Sequence, residues 1–429
     1  MTDSSRISGM WWMSDNPNNK VPGDLLVDDG KLELNGSFEG FKPGVYGKIT
    51  PGLVRPIQDK TIIGVSRSGS RRYTLEYFAN PATTLTMNAD YGYKVDTYSL
   101  GRIFEGEHFD RIDNLKFKKY YVEYPNVFNW IGDGIITITT IFPKEGKKLK
   151  KNDITNKVEI RSPKDIIAYK CKDFKLAFTI YRGSMPMSPS TDIHISQGCN
   201  VKIESAKGIE LSAAQETYAH IRRFLSIAIG RDVEPTNFRV LVGRGRQKKY
   251  VTMVTKSKDN VKKKNIHQHE MSFVFADIKK DSQKIFDKWF SDKNKHTDMF
   301  DLFSSIRSNS PKNINNYFKD VVSALEGYVS VETGKFEVSP DKAVKTLNEV
   351  FPKAERIIDP KDYNRIRITR NKLSHVKIQA KDEASVMDYN DKYINANRMV
   401  FLLEYSLLKN LGVEDSILDK FYKNRKLYL

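Results

Sequence analysis

The chain has 429 residues, 39% of them hydrophobic and 29% charged, with a formal net charge of +18. That length predicts two or three domains with cores of their own, and that balance is expected of a soluble globular protein rather than a disordered or membrane-embedded one. The longest apolar runs, at 134–142 and 399–408, are shorter than the roughly 20 residues that a bilayer-crossing helix needs.

The opening residues Met1-Thr2-Asp3-Ser4-Ser5 lack the basic start and apolar stretch of a secretory signal, so a cytoplasmic location is expected. Residues 7–141 are dense in glycine and in short runs of Val, Ile, Thr, Tyr and Phe, such as Lys31–Leu34 and Ile135–Thr139. Bounded by Asp-Asp-Gly and Asn-Gly, these runs predict strands and hairpins. Trp11, Trp12, Phe38, Phe41 and Tyr46 are either core residues of this β-rich region or the lining of a ligand surface. A basic stretch, Lys144–Lys151, reads as an exposed loop or linker.

More strands are expected at Phe174–Tyr181 and Thr191–Glu204, the second with a turn at Gly198, and then a helix over Ser212–Gly230, which has a Ser-x-x-Gln start and a glycine end. Strands around Asn237–Gly243 and Met271–Ala276 flank Arg244, Arg246, Lys248, Lys249 and Lys256–Lys264. This basic loop region either contacts phosphates or simply solvates the surface. Cys171 and Cys199 have no partners at a metal-ligand spacing and are expected to be reduced thiols.

From Asp281 onward helical signals dominate, at Ser282–Phe290, Asn313–Ser330, Ser339–Phe351, Pro360–Ile378, Asn395–Leu411 and Asp415–Tyr422. Short connections predict a helical bundle. The expected fold class is therefore α+β: a β-rich domain over 1–150, a mixed α/β middle domain with basic loops over 151–280, and an all-α bundle over 281–429.

The chemistry-bearing pattern lies in the helix that starts at Pro360. Asp359 suits the N-cap, and Pro360 suits the first helical turn. Phased at about 100° per residue, Ile366, Thr369, Leu373 and Val376 share one face, while Asn364, Arg367, Asn371, Ser374 and His375 share the other. Arg370 sits at their boundary, and Asn371 and His375 stack one turn apart. A fixed cation, an amide and an imidazole together suit a phosphodiester and a proton moved on it. Spacing alone is weak support, because Arg102 and His108 stand six apart in a glycine-interrupted β stretch with no shared face.

Arg370-Asn371-Lys372-Leu373-Ser374-His375 resembles the Arg-Asn-x-x-x-His motif of HEPN ribonucleases, helical-bundle domains common in bacterial toxins and antiviral systems. The opening, Gly9-Met10-Trp11-Trp12 followed by the segment from Val21 to Gly36, is similar to the N-terminal domain of the ApeA-like abortive-infection family. The resemblance implies metal-independent RNA cleavage through attack of the ribose 2′-hydroxyl, with no cofactor. Arg370, Asn371 and His375 would be catalytic, joined by an acid from an earlier helix, for which Glu326 is the candidate; Arg367, Lys372 and Ser374 would help bind substrate.

It further implies a homodimer through the bundle, RNA as partner with transfer RNA a candidate, and N-terminal domains acting as sensor or brake toward a phage-derived trigger. Two other readings stay open. One is a non-catalytic RNA- or nucleotide-binding HEPN protein; the other makes the β-rich front a carbohydrate or peptide binder, on the strength of Trp11 and Trp12.

Overall fold

The structure, a computed structural model, describes residues 6–36, 38, 61–87, 92–112, 115–141, 155–183, 196–243, 245–254, 265–291, 295–296, 299–300, 302–303, 306, 313–352, 356–374 and 380–425. The architecture is α+β, as the sequence predicts. The chain folds into two compact units. The first comprises 1–124, 201–216 and 235–263, and the second 125–200, 217–234 and 264–429.

The first unit is built on a closed barrel. Its strands are β1 (Arg6–Met13), β2 (Val21–Leu26), β3 (Lys31–Asn35), β4 (Thr61–Ser66), β5 (Arg72–Tyr77), β6 (Ala82–Met87) and the long β7 (Gly92–Glu105). The antiparallel order β7-β3-β2-β1-β4-β5 closes because β5 also pairs with β7, which removes the free edges that an open sheet would carry. Alternation along each strand fills the interior with Trp11, Leu25, Leu32, Leu34, Ile62 and Tyr73, among others. Trp11 is fully buried and donates from Nε1 to the Gly23 carbonyl at 3.0 Å. Its ring lies across Gly64, where a Cβ would stand 2.0 Å from Trp11 Cε3, so only glycine fits. β8 (Lys116–Glu123), β14 (Asn237–Val242) and β15 (Lys249–Val254) extend the ladder from β7.

The aromatic candidates divide. Trp11 is core, and Trp12 is 9% exposed, edge-on to His108. Phe38 packs on Tyr98, while Phe41 and Tyr46 lie outside the described residues. Among the basic candidates, Lys249 pairs with Glu107 at 2.8 Å; Lys144–Lys151 and Lys256–Lys264 lie outside the described residues.

The second unit begins with α1 (Val127–Ile131), whose Trp130 is a packing hub. Its ring contacts Phe178 and Phe275, and its Nε1 donates to the Phe273 carbonyl at 2.9 Å. β9 (Ile136–Ile141) pairs with β10 (Thr155–Ile160), and β11 (Lys164–Lys170) pairs with β12 (Lys175–Arg182). Gly198 is not a turn: β13 (Gln197–Glu210) runs straight through it. A Cβ there would stand 2.6 Å from the Tyr181 ring, so the glycine admits an aromatic rather than reversing the chain.

α2 (Leu211–Ile229) ends at Gly230, which has φ +80. The expected strand at Met271–Ala276 is instead irregular chain leading into α3 (Phe275–Ile278), because Asp277 Oδ2 accepts from the Val274 N–H at 2.8 Å and caps a helical turn. Then follow α4 (Ser282–Ser291), α5 (Ile314–Thr333), α6 (Pro340–Val350), α7 (Pro360–Ser374), α8 (Tyr389–Asn410) and α9 (Asp415–Arg425). α8 starts six residues earlier than its apolar pattern suggests. Asp388 Oδ1 caps it through the Asp391 N–H at 2.8 Å, and its first turns expose Tyr389, Tyr393 and Ile394.

Candidate active site

Local chemistry fixes α7 at its start. Asp359 Oδ1 accepts from the Lys361 N–H at 3.0 Å, satisfying one of the donors that every helix N-terminus leaves over. The same hydrogen bond, seconded by the Lys361 side chain, holds the Asp359 carboxyl below the usual carboxylate range. The approach to α7 is organised by a residue that pattern reading missed. Asn348 of α6, fully buried, donates from Nδ2 to the Ile358 carbonyl at 2.8 Å and accepts at Oδ1 from the Ile357 N–H at 3.1 Å. One buried amide thus substitutes for the backbone partners that an irregular segment lacks. A polar residue inside an otherwise apolar helix face was its only sequence signal.

Along α7, Ile366, Ile368 and Thr369 are buried, and Thr369 Oγ1 accepts from the Met387 N–H at 2.9 Å. Ile368 falls near the polar face, so the exposed strip is narrower than helical phasing predicts. Arg365 braces the helix with Nη1 at 2.9 Å from Asp362 and Nη2 at 2.6 Å from Asp391.

The boundary residue Arg370 reaches across to α5, where its Nη2 stands 3.3 Å from Glu326 Oε2. The two side chains are 29% and 17% exposed. Burial pushes the Glu326 carboxyl above its ordinary range, while the neighbouring guanidinium opposes that shift. Arg370 Nε is buried and has no hydrogen-bond partner among the described residues. A buried donor without an acceptor is costly, and the part of the Arg370 side chain that stays exposed is the part an oxyanion could meet.

The other sequence candidates are arranged less tightly. Asn371 is half-buried and Ser374 exposed; Arg367 donates from Nη2 to Asn364 Oδ1 at 2.6 Å, and Lys372 stands 3.3 Å from Glu383. His375 lies outside the described residues. Of the candidates, the described structure therefore brings together Arg370 and Glu326. The decoy histidine is spent elsewhere: His108 Nε2 lies 3.0 Å from the Gly64 carbonyl. His220 is likewise absorbed, stacked on Trp289 with ring centroids 4.6 Å apart.

The chain is thus an α+β protein: a β-rich front followed by a helical bundle with a cation–acid pair between two of its helices. Family models match on this chain as ApeA N-terminal domain 1 over residues 6–289 and ApeA-like HEPN over residues 248–417. The chain belongs to the ApeA family, with a C-terminal ApeA-like HEPN domain. No curated protein and no solved structure matches it. HEPN domains are generally ribonuclease-like and commonly bind RNA and dimerise, and membership supports a nuclease-type role in abortive infection in general terms. No helix among the described residues is long and apolar enough to cross a membrane.

Proposed function

We propose that this protein is a cytoplasmic anti-phage toxin, a metal-independent endoribonuclease whose site is centred on Arg370 and His375, with Asn371 and Glu326 completing it. The observation that carries the reading is the Arg370 guanidinium, held by Glu326 at 3.3 Å with its Nε buried and unpartnered among the described residues. A cation fixed in this way is pre-organised for the charge that gathers on phosphoryl oxygens in a transition state.

The ribose 2′-oxygen attacks the adjacent phosphorus and gives up its proton to a base. The bond from phosphorus to the 5′-oxygen breaks, and an acid protonates the departing oxygen. The products are a 2′,3′-cyclic phosphate and a 5′-hydroxyl. DNA lacks the nucleophile, so the substrate class is RNA, and the flexible anticodon loop of transfer RNA suits a site that needs unstacked strands. His375 acts in general acid–base transfer, and Asn371 orients it or the phosphate. Arg367, Lys372 and Ser374 contact the flanking backbone. Since one chain supplies one such histidine, two copies meet as a homodimer to form a complete site. The N-terminal region senses a phage-derived trigger or holds the pair apart until one arrives.

Growth of an expression host tests this. Overproduced wild type should slow growth, and Arg370→Ala at the same abundance should not. Equal toxicity of the two would remove Arg370 from the mechanism.

A further inference from the structure

In the second unit, β9 and β10 form a two-stranded ribbon of their own, antiparallel, with Ile136 opposite Ile160 and Ile138 opposite Val158. A ribbon of two strands is marginally stable in water by itself. Pleating separates its faces. Ile138 and Val158 stand side by side on one face, 68% and 44% exposed, while Lys157 and Glu159 share the other with Thr137 and Thr139. An apolar pair is thus left in water on an element that needs a further neighbour.

The two edges of the ribbon differ. At its base the Arg161 N–H donates to the Ile135 carbonyl at 2.8 Å. Antiparallel pairs alternate between bonded and non-bonded, so Thr137–Glu159 and Thr139–Lys157 exchange bonds within the ribbon, and Ile136, Ile138, Val158 and Ile160 turn their backbone groups outward. On the β9 edge this row is interrupted, because the Ile136 N–H donates to Gln197 Oε1 at 3.1 Å. The β10 edge has no strand beside it among the described residues. It offers the N–H and C=O groups of Val158 and Ile160 to another strand. Side chains restrict which strand can accept. Lys157 and Glu159 flank Val158, stand 2.6 Å apart and are both exposed. A charged edge repels arbitrary β-pairing, but a Lys and a Glu set symmetrically about one residue are complementary to the same strand turned round by a two-fold axis.

We infer that β10 pairs with β10 of a second copy of this chain, antiparallel and centred on Val158. Each Lys157 then lies opposite the other copy's Glu159, the two Val158 side chains meet, and Ile138 and Val158 of both copies make one apolar stripe across four strands. The backbone groups that pair are the outward-facing ones, so no bond inside either ribbon is broken. The contact is isologous and uses up the β10 edge, which limits it to two chains. It lies outside the Arg370 site and needs neither Arg370 nor His375. Its consequence for activity rests on the nuclease reading above: joined ribbons tether two bundles and raise the effective concentration at which these meet.

Thiol cross-linking of the full-length chain tests pairing and register together, in a Cys171→Ser background that leaves only the buried Cys199. In the paired ribbons the two Val158 Cα atoms stand about 5.5 Å apart, within reach of a disulfide, whereas the two Ile138 Cα atoms are three strand spacings, about 14 Å, apart. Under mild oxidation Val158→Cys should therefore form covalent dimers at least about tenfold faster than Ile138→Cys. Adding Glu159→Lys to Val158→Cys should slow dimer formation about tenfold, and adding Lys157→Glu as well should restore it, because opposite charges again face each other across the axis. Circular dichroism should show every variant folded. His375→Ala should cross-link as its parent does, so a failure of the nuclease reading is scored apart from a failure of this one. The inference is overturned if Val158→Cys cross-links no faster than Ile138→Cys, if Glu159→Lys has no effect, or if Lys157→Glu fails to restore what Glu159→Lys removes.

Discussion

Trp11 and Arg370 are both large side chains with polar ends, each bonded across to a neighbouring element, yet they finish in opposite states. In the barrel, Trp11 is fully buried, its one donor is satisfied by Gly23, and its ring is pressed onto Gly64. Between α5 and α7, Arg370 keeps 29% of its side chain exposed, makes one bond to an acid that burial disfavours as an anion, and leaves Nε unpartnered among the described residues. A satisfied, close-packed group contributes stability and has nothing left to offer a ligand. An incompletely satisfied cation costs stability, and its exposed part keeps the capacity to take an anion, which makes Arg370 the candidate for function that Trp11 is not.

The contrast breaks most readily at Arg370. Arg370→Ala should lower RNA cleavage by about 10² to 10³-fold, the loss typical of removing one oxyanion stabiliser, while its thermal midpoint stays close to wild type. A large fall in midpoint would put Arg370 in the same class as Trp11. Next in size is Asn348→Leu, which strands the polar groups at Ile357 and Ile358 and should cost about 2–3 kcal/mol in urea unfolding. A loss near zero would mean that the chain entering α7 is held by other contacts.

In the barrel, Gly64→Ala forces a Cβ against Trp11 and should cost about 1–2 kcal/mol, with cleavage per folded molecule unchanged; altered cleavage would tie barrel packing to the chemistry. Asp24→Asn should have the smallest effect. Hydrogen bonds from Arg6 and Ser8 hold the Asp24 carboxyl below its ordinary range. Its stabilisation is therefore present above that range and is lost as pH falls through the depressed value. Thermal melts of wild type and Asp24→Asn should differ slightly at pH 7 and converge in acid, and a gap that widened in acid would contradict the assignment.

The α+β organisation was legible because period and capping agreed along the chain: Asp359 and Pro360 start α7, and Asn313, whose side chain accepts from the Asn315 N–H at 2.9 Å, starts α5. Errors arose where a tertiary contact overrode the local signal, as at Gly198, and where a local cap went unread, as at Asp277. Gly198 looks like a turn until Tyr181 is seen above it, and Met271–Ala276 looks like a strand until Asp277 caps the backbone. The first turns of α8 were missed because Tyr389, Tyr393 and Ile394 are exposed and blur the apolar stripe. At the site, Arg370 could be phased from its own helix, whereas its pairing with Glu326 joins residues 44 apart. No period links two helices across a bundle, and no pattern reveals that Asn348 holds the approach to α7.

Incubation of purified full-length protein with total RNA in EDTA, with and without infected-cell extract, followed by end-group analysis of the fragments, tests the assigned chemistry most directly. Wild type should yield 2′,3′-cyclic phosphate and 5′-hydroxyl ends, and His375→Ala and Arg370→Ala should leave the RNA intact. Intact RNA with wild type under both conditions, fragments bearing 5′-phosphates, or equal cleavage by His375→Ala would contradict it.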